Sequence, residues 1–323
     1  MIEYNNKNAR LWSIMGINPA IWSVGFADTI QQDNSVIVLT ADLKRYSGLQ
    51  RTFEKFPARC FNVGIAEQNM VGIGAGMSMS GHKVYMTTYA PFMTLRCADQ
   101  IRHLMGNLNL NMKAIGSAAG LSAGLSGPSL LAINDIALMR SIPNMTVLSP
   151  ADCMEAIKMM EAIREYDGPV YIRFCGATRI PIVYHEDYSF TIGKGITLRK
   201  GKDIAIIATG TDLVANAIKT ADLLKEDKIE AEVINVHTIK PLDTELVDSI
   251  AKRHKLIVTI EEHNIIGGLG STIAERLTSI GYNGKQIFLG INDKNYISGN
   301  RPFMLEQARL THRLIAQDIK SAL

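Results

Sequence analysis

Residues Phe61–Phe92 read FNVGIAEQNMVGIGAGMSMSGHKVYMTTYAPF. A short strand predicted over Phe61–Val63 ends in a tight turn at Gly64, and one acid, Glu67, stands in the first turn of the helix that follows. From Met70 to Met77 that helix is small or apolar on every side, the pattern of a helix buried all round. Its glycines lower helix propensity, which predicts close packing against its backbone. A carboxyl group at its mouth is balanced between burial, which favours the neutral form, and the helix N-terminus, which favours the charged form. Such a group suits proton exchange with a ligand. A second strand, Lys83–Thr88, then leads into a loop that carries Tyr89 and Phe92.

The same alternation of strand and helix continues on both sides. Strands are predicted at Ser35–Thr40, Met112–Ser117, Met145–Ser149 and Val170–Phe174, with helices at Pro91–Met105, Leu130–Ser141 and Asp152–Tyr166. The last has Asp152 as N-cap and Glu155 at the capping-box spacing. From Pro181 to Gly195 prolines, charges and glycines interrupt any helical period, which marks a boundary. Beyond it come strands at Asp203–Ala208, Ala231–Val236, Lys255–Glu261 and Gln286–Leu289, and helices at Leu213–Leu224, Glu245–Arg253 and Ser271–Ile280. The fold class expected is α/β, with two doubly wound domains, 1–188 and 189–323, built on mostly parallel sheets.

The 323 residues are enough for two domains of ordinary size, and 47% hydrophobic with 20% charged residues suits large cores. A net charge of +3 points to neither nucleic acid nor a membrane surface as partner. Lys44, Arg45 and Arg51 have no interleaved aromatics and read as a solvated surface. Cys60, Cys97, Cys153 and Cys175 form no CxxC pair and suggest no zinc site, so buried or semi-buried free thiols in a reducing cytoplasm are expected. The first ten residues, MIEYNNKNAR, lack the apolar core of a secretory leader, which makes the cytoplasm the expected location.

GIAEQ followed by a glycine-rich helix, a strand and an aromatic loop resembles the pyrimidine-binding domain of thiamine-diphosphate enzymes, and within them the transketolase family. TADL at 40–43, DIALMRSIPNMTVLSPAD at 135–152 and EEHNIIGGLGS at 261–271 extend the resemblance over nearly the whole chain. It implies a pyrimidine-binding domain followed by a transketolase C-terminal domain, the half that is a separate subunit in split forms. It also implies that Glu67 bonds the N1′ nitrogen of the aminopyrimidine ring, that Tyr89 and Phe92 sandwich this ring, and that Asp42 lies near the thiazolium side. Taken singly, the plain alternatives are a helix-capping Glu67, core aromatics and a turn-forming Asp42. Gly267, Gly268 and Gly270 open a helix and invite an anion, although tight packing is the simpler reading. His263 reads as structural or interfacial.

The GDG…N signature that binds magnesium and diphosphate in the family is absent from the sequence. The resemblance therefore implies an N-terminal transketolase subunit that supplies those ligands, Mg2+ included, in an assembly of two copies of each chain. The usual sugar-phosphate contacts are also missing. Ala118 stands where a His is common, Ser126–Leu131 replaces Asp-Gly-x-Thr-His-Gln, Cys175 and Gly176 replace an Arg, and Asn18–Asp28 offers no Arg. The expected activity is transfer of a two-carbon ketol unit to an aldehyde, on a substrate that is not an ordinary sugar phosphate unless Arg179 supplies a displaced anion contact. Alternative activities are decarboxylative carboligation from a 2-oxo acid and the beta subunit of a 2-oxo acid dehydrogenase. A non-catalytic scaffold of the same fold class is disfavoured by Glu67.

Overall fold

Two sheets organise the chain, described at residues 2–176 and 178–323 of a computed structural model. The strands are β1 (Val36–Thr40), β2 (Cys60–Asn62), β3 (Lys83–Tyr89), β4 (Met112–Ser117), β5 (Thr146–Leu148), β6 (Val170–Arg173), β7 (Ile196–Arg199), β8 (Ile204–Ala208), β9 (Ala231–Asn235), β10 (Thr238–Lys240), β11 (Leu256–Asn264) and β12 (Lys285–Ile291). The first sheet runs β10-β5-β6-β4-β3-β1-β2 and the second β12-β11-β8-β9-β7. Pairing is parallel except at β10 and β7, each antiparallel to its neighbour. β1, β5, β6, β8 and β9 are buried along their whole length. Strands covered on both faces read as unbroken apolar runs, so the sequence located them to within a residue or two.

Several elements depart from the expectations. The helix predicted from Leu130 begins only at Asp135, because Gly127 adopts a left-handed φ of 87° and Pro128–Leu130 closes a separate tight turn. The stretch predicted as one helix from Pro91 is wound as wide turns, Phe92–Arg96 and Ile101–Asn107, around a short α-helical piece. Helices at Asn6–Met15, Ile17–Ala20 and Phe26–Gln32 precede β1, and Arg301–Gln307 and His312–Ala322 close the chain. Among the described residues, no helix is long and apolar enough to cross a membrane. All four cysteines are buried free thiols.

Buried charges knit the two sheets together. Arg173, at the end of β6, and Asp135 are both fully buried and paired at 2.8 Å, with the Tyr171 hydroxyl donating to the same carboxylate at 2.7 Å. Burial alone would raise the Asp135 carboxyl, but the Arg173 guanidinium overrides it and holds the group below its ordinary value. Arg173 also donates to the Glu262 carbonyl at 3.0 Å. The Glu262 side chain accepts from the Leu121 amide at 2.7 Å and from Arg301 at 2.6 Å, and Arg301 reaches on to Asp212. Next to it, His263 accepts at Nε2 from the Ala137 amide and donates from Nδ1 to the Asn264 carbonyl, so this ring is a joint between the sheets. Glu261 closes the anion reading of the glycine segment. Its carboxylate already accepts from the Leu269 and Gly270 amides at 2.6 and 2.8 Å, and a Cβ on Gly268 would lie 1.9 Å from it.

The Asp152–Glu155 cap is a second joint. Asp152 accepts from the Glu155 amide as the spacing predicts, and its other oxygen accepts from Val183 and Tyr184 in the linking segment. Glu155 accepts from Ala151, from Tyr188 and from Asn235 at the end of β9. Burial pushes the Glu155 carboxyl up to about 7 from its ordinary 4.5. The folded chain thus binds this proton more tightly than the unfolded chain. Its contribution to stability is complete below the unfolded value and is lost as pH rises through about 7.

Two outcomes follow. Arg173→Met strips the buried Asp135 of its cation, and should cost about 3–5 kcal/mol in chemical denaturation; a loss under about 1 kcal/mol would mean that the pair is dispensable. Between about pH 5 and 8, the Tm of Glu155→Gln should fall less steeply with rising pH than that of the parent; parallel slopes would exclude Glu155 as a titrating group.

Candidate active site

Neighbouring strands β3, β1 and β2 deliver the predicted residues to one end of the first sheet, beyond their carboxyl ends, where open α/β sheets hold ligands. β2 ends at Asn62, Gly64 turns with φ 76°, and Glu67 opens the helix Glu67–Met79. Glu67 is only 4% exposed, and Arg96 donates to its Oε2 at 2.9 Å. Asp42 follows β1 with φ 58°. Its amide donates to the Asn62 side chain at 2.9 Å, the Asn62 amide group donates back to its carboxylate at 3.2 Å, and Gly64 donates to the same Asn62 oxygen at 3.1 Å. Asn62 therefore fixes the Asp42 loop to the turn that presents Glu67.

Tyr89 ends β3, and Phe92 begins the wide helical turn beyond it. Their rings stand edge-on, 5.9 Å apart at 73°, and Tyr46 meets Tyr89 edge-on at 4.7 Å. The Arg96 guanidinium lies 4.0 Å from the centre of the Phe92 ring. Arg96 thus covers the Phe92 face and holds the Glu67 carboxylate with one side chain. Sequence reading missed Arg96, Asn62 and Tyr46. The signal for Arg96 was its place four residues after Phe92, the one charge in an otherwise uncharged run from Pro91 to Ala98.

The arrangement fits a flat, nitrogen-bearing ring. It offers a buried carboxyl group, aromatic faces and, on the same strand ends, hydroxyls of Thr40, Thr87 and Thr88 that find no partner among the described residues. No cluster of three metal-ligating side chains occurs among the described residues. Tyr46 and Tyr89 line a pocket of ≈230 Å³ with Leu125, Ser126, Asn300 and Arg301. Ala118, whose φ is 52°, is buried nearby at the end of β4.

Comparison with known proteins bears on the family and the fold. A transketolase pyrimidine-binding-domain model matches residues 23–176, and a transketolase C-terminal-domain model matches 193–315. The chain is 39% identical over 247 residues to a 6-deoxy-6-sulfo-D-fructose transketolase subunit of Clostridium sp. (strain MSTE9), covering 76% of each. It is 34% identical over 281 residues to an apulose-4-phosphate transketolase subunit of Phocaeicola vulgatus, covering 85% of this chain and 88% of the other. Among solved structures it resembles a split gene transketolase described as an inactive beta4 tetramer, with TM-score 0.85 and 35% identity over 96% of this chain and 98% of the other.

The Glu67–Met79 helix is not buried all round, contrary to expectation. Met70, Val71, Gly74 and Ala75 face the core, and a Cβ on Gly74 would crowd Met86 and Met112. Gln68, Asn69, Gly72, Gly76 and Met79 are exposed, because only one side of the helix meets the sheet. A Cβ on Gly72 or Gly76 would meet nothing within 4 Å. In the lone chain, Gly72→Ala and Gly76→Ala should therefore each raise stability by about 0.5–1 kcal/mol in thermal denaturation. Gly74→Ala should gain less or lose. A loss at 72 or 76 would show that the open face is packed in solution.

Proposed function

The chain belongs to the transketolase family, and we propose that it is one half of a two-chain, thiamine-diphosphate-dependent enzyme moving a two-carbon ketol unit from a ketose-type donor to an aldehyde acceptor. The observation that carries this reading is the buried Glu67 at the strand ends, joined through Arg96 to the Phe92 ring that meets Tyr89. Thiamine diphosphate, when bound, supplies the nucleophilic carbon that side chains lack. Glu67 is the proton partner of the ring nitrogen, and Tyr89 and Phe92 are the aromatic walls that orient the ring. Asp42, braced by Asn62, is the polar group on the thiazolium side. Arg96 must yield one Glu67 oxygen, or share it, as the ring enters.

The diphosphate and Mg2+ fall to an N-terminal transketolase subunit, in an assembly of two copies of each chain. The open face with Gly72 and Gly76, together with the exposed Ile65 and Leu95, supports this reading, since bare helical backbone permits close approach of a partner element. The division of the chain at 188/189 lies between the end of one matched segment at 176 and the start of the next at 193. The substrate is a sugar whose far end is not held by the family's usual contacts, because Ala118, Cys175 and Gly176 carry no side chain able to grip an anion.

Reconstitution tests the reading. Turnover of a ketose donor with an aldehyde acceptor should require both chains, thiamine diphosphate and Mg2+. Glu67→Gln should lower kcat about 10²- to 10⁴-fold while co-purification with the partner persists. Unchanged turnover in that variant would refute the role of Glu67, and full turnover by the lone chain would refute the split.

A further inference from the structure

A second cleft lies apart from the one at the aromatic pair. It measures ≈570 Å³ and lies where the segment after β6 meets the helices Leu213–Glu226, Arg301–Gln307 and His312–Ala322. That volume suits a sugar-sized ligand. Gly176 follows β6, and Asp212 lies shortly beyond β8, so the cleft opens at the carboxyl ends of strands from both sheets.

Its polar lining holds Arg179, Lys219 and Arg301 against the carboxylates of Asp212 and Glu306, with the His312 ring beside them, and Arg301 is already engaged by Asp212 and Glu262. Arg179 and Lys219 are exposed, so their charges meet a ligand without leaving water first. The His312 ring is held below its ordinary value, first by burial and then by the charges of Lys219 and Arg313. Arg301 lines both this cleft and the pocket of Tyr46 and Tyr89, and its guanidinium donates to Ser122, which also lines that pocket. Two of the relatives named above take their names from sugars bearing a sulfonate or a phosphate.

We propose that this cleft binds the phosphate or sulfonate of a small sugar through Arg179, Lys219 and His312, so that the C-terminal half supplies the anion grip that the pyrimidine-binding half lacks. A phosphate dianion is held by fixed cationic donors, with an arginine fork giving two directed bonds and a lysine a point charge. The inference rests on the transketolase-like reading for its ligand class, and the anion is either the tail of the sugar undergoing transfer or a separate effector of the same charge.

Titration calorimetry on the full-length lone chain, with ribose 5-phosphate at low ionic strength, tests the cleft without cofactor or partner. Ribose 5-phosphate should bind, inorganic phosphate should compete with it, and ribose should not bind. Arg179→Ala and Lys219→Ala should each weaken binding about tenfold with Tm unchanged, because both side chains are exposed; Lys225→Ala, on the same helix outside the cleft, should not. No binding by the parent, equal binding of ribose, or undiminished affinity in both variants would overturn the proposal while leaving the cofactor reading intact. In the reconstituted pair, a rise in KM for ribose 5-phosphate in Lys219→Ala with kcat preserved identifies the substrate tail. An unchanged KM, with loss of any effect of added phosphate on the rate, identifies an effector.

Discussion

A chain of buried and half-buried polar contacts, from Asp135 through Arg173, Glu262 and Arg301 to Asp212, fixes how the two halves of this protein sit together. Charges taken out of water are tolerable only when their partners arrive with good geometry. Arg173 and Asp135 come from the first sheet and its covering helix, whereas Glu262, Arg301 and Asp212 come from beyond residue 200. A slip of one sheet against the other would strand several of them at once. The network is thus better understood as a register device than as a source of net stability. Its last members also line the two cavities, so the same contacts that align the halves shape the space between them.

The site follows a different logic. Glu67 is buried at a helix start with an exposed cation, Arg96, on one oxygen, and that cation rests on an aromatic face. Arginine stacks on aromatics and pairs with carboxylates through one planar group. In the lone chain Arg96 therefore gives both surfaces a partner of matching chemistry. A flat ring whose nitrogen carries a proton presents the same two kinds of contact, a donor to the carboxylate and a face for stacking, which makes exchange of one for the other chemically reasonable.

The central strands were legible because burial on both faces leaves an unbroken apolar record, as in β1, β6 and β8. The motif around Glu67 was legible through resemblance, since the bare pattern also fits a capping acid. Other elements left no such record. The wide turn Ile21–Gly25 sits between the helices that flank it and disturbs the 3.6-residue period of the N-terminal segment. β10 is three residues long, and nothing in its composition says that it joins the first sheet. Leu130 and Leu131 look like the start of a helix, but Pro128 and the left-handed Gly127 consign them to a tight turn. The exposed side of the Glu67–Met79 helix was misjudged because glycine and methionine suit a protein core and an awaiting contact equally well.

β10 has a consequence for how such a protein can be divided. It crosses from the second half to cover the outer edge of β5, antiparallel, and Lys240 ties it to the carbonyls of Arg140 and Ile142. Severing the chain in the linking segment would bare β5, whose unpaired backbone would then template association with any passing strand. The two halves are therefore bound by a shared sheet edge as well as by the segment that links them.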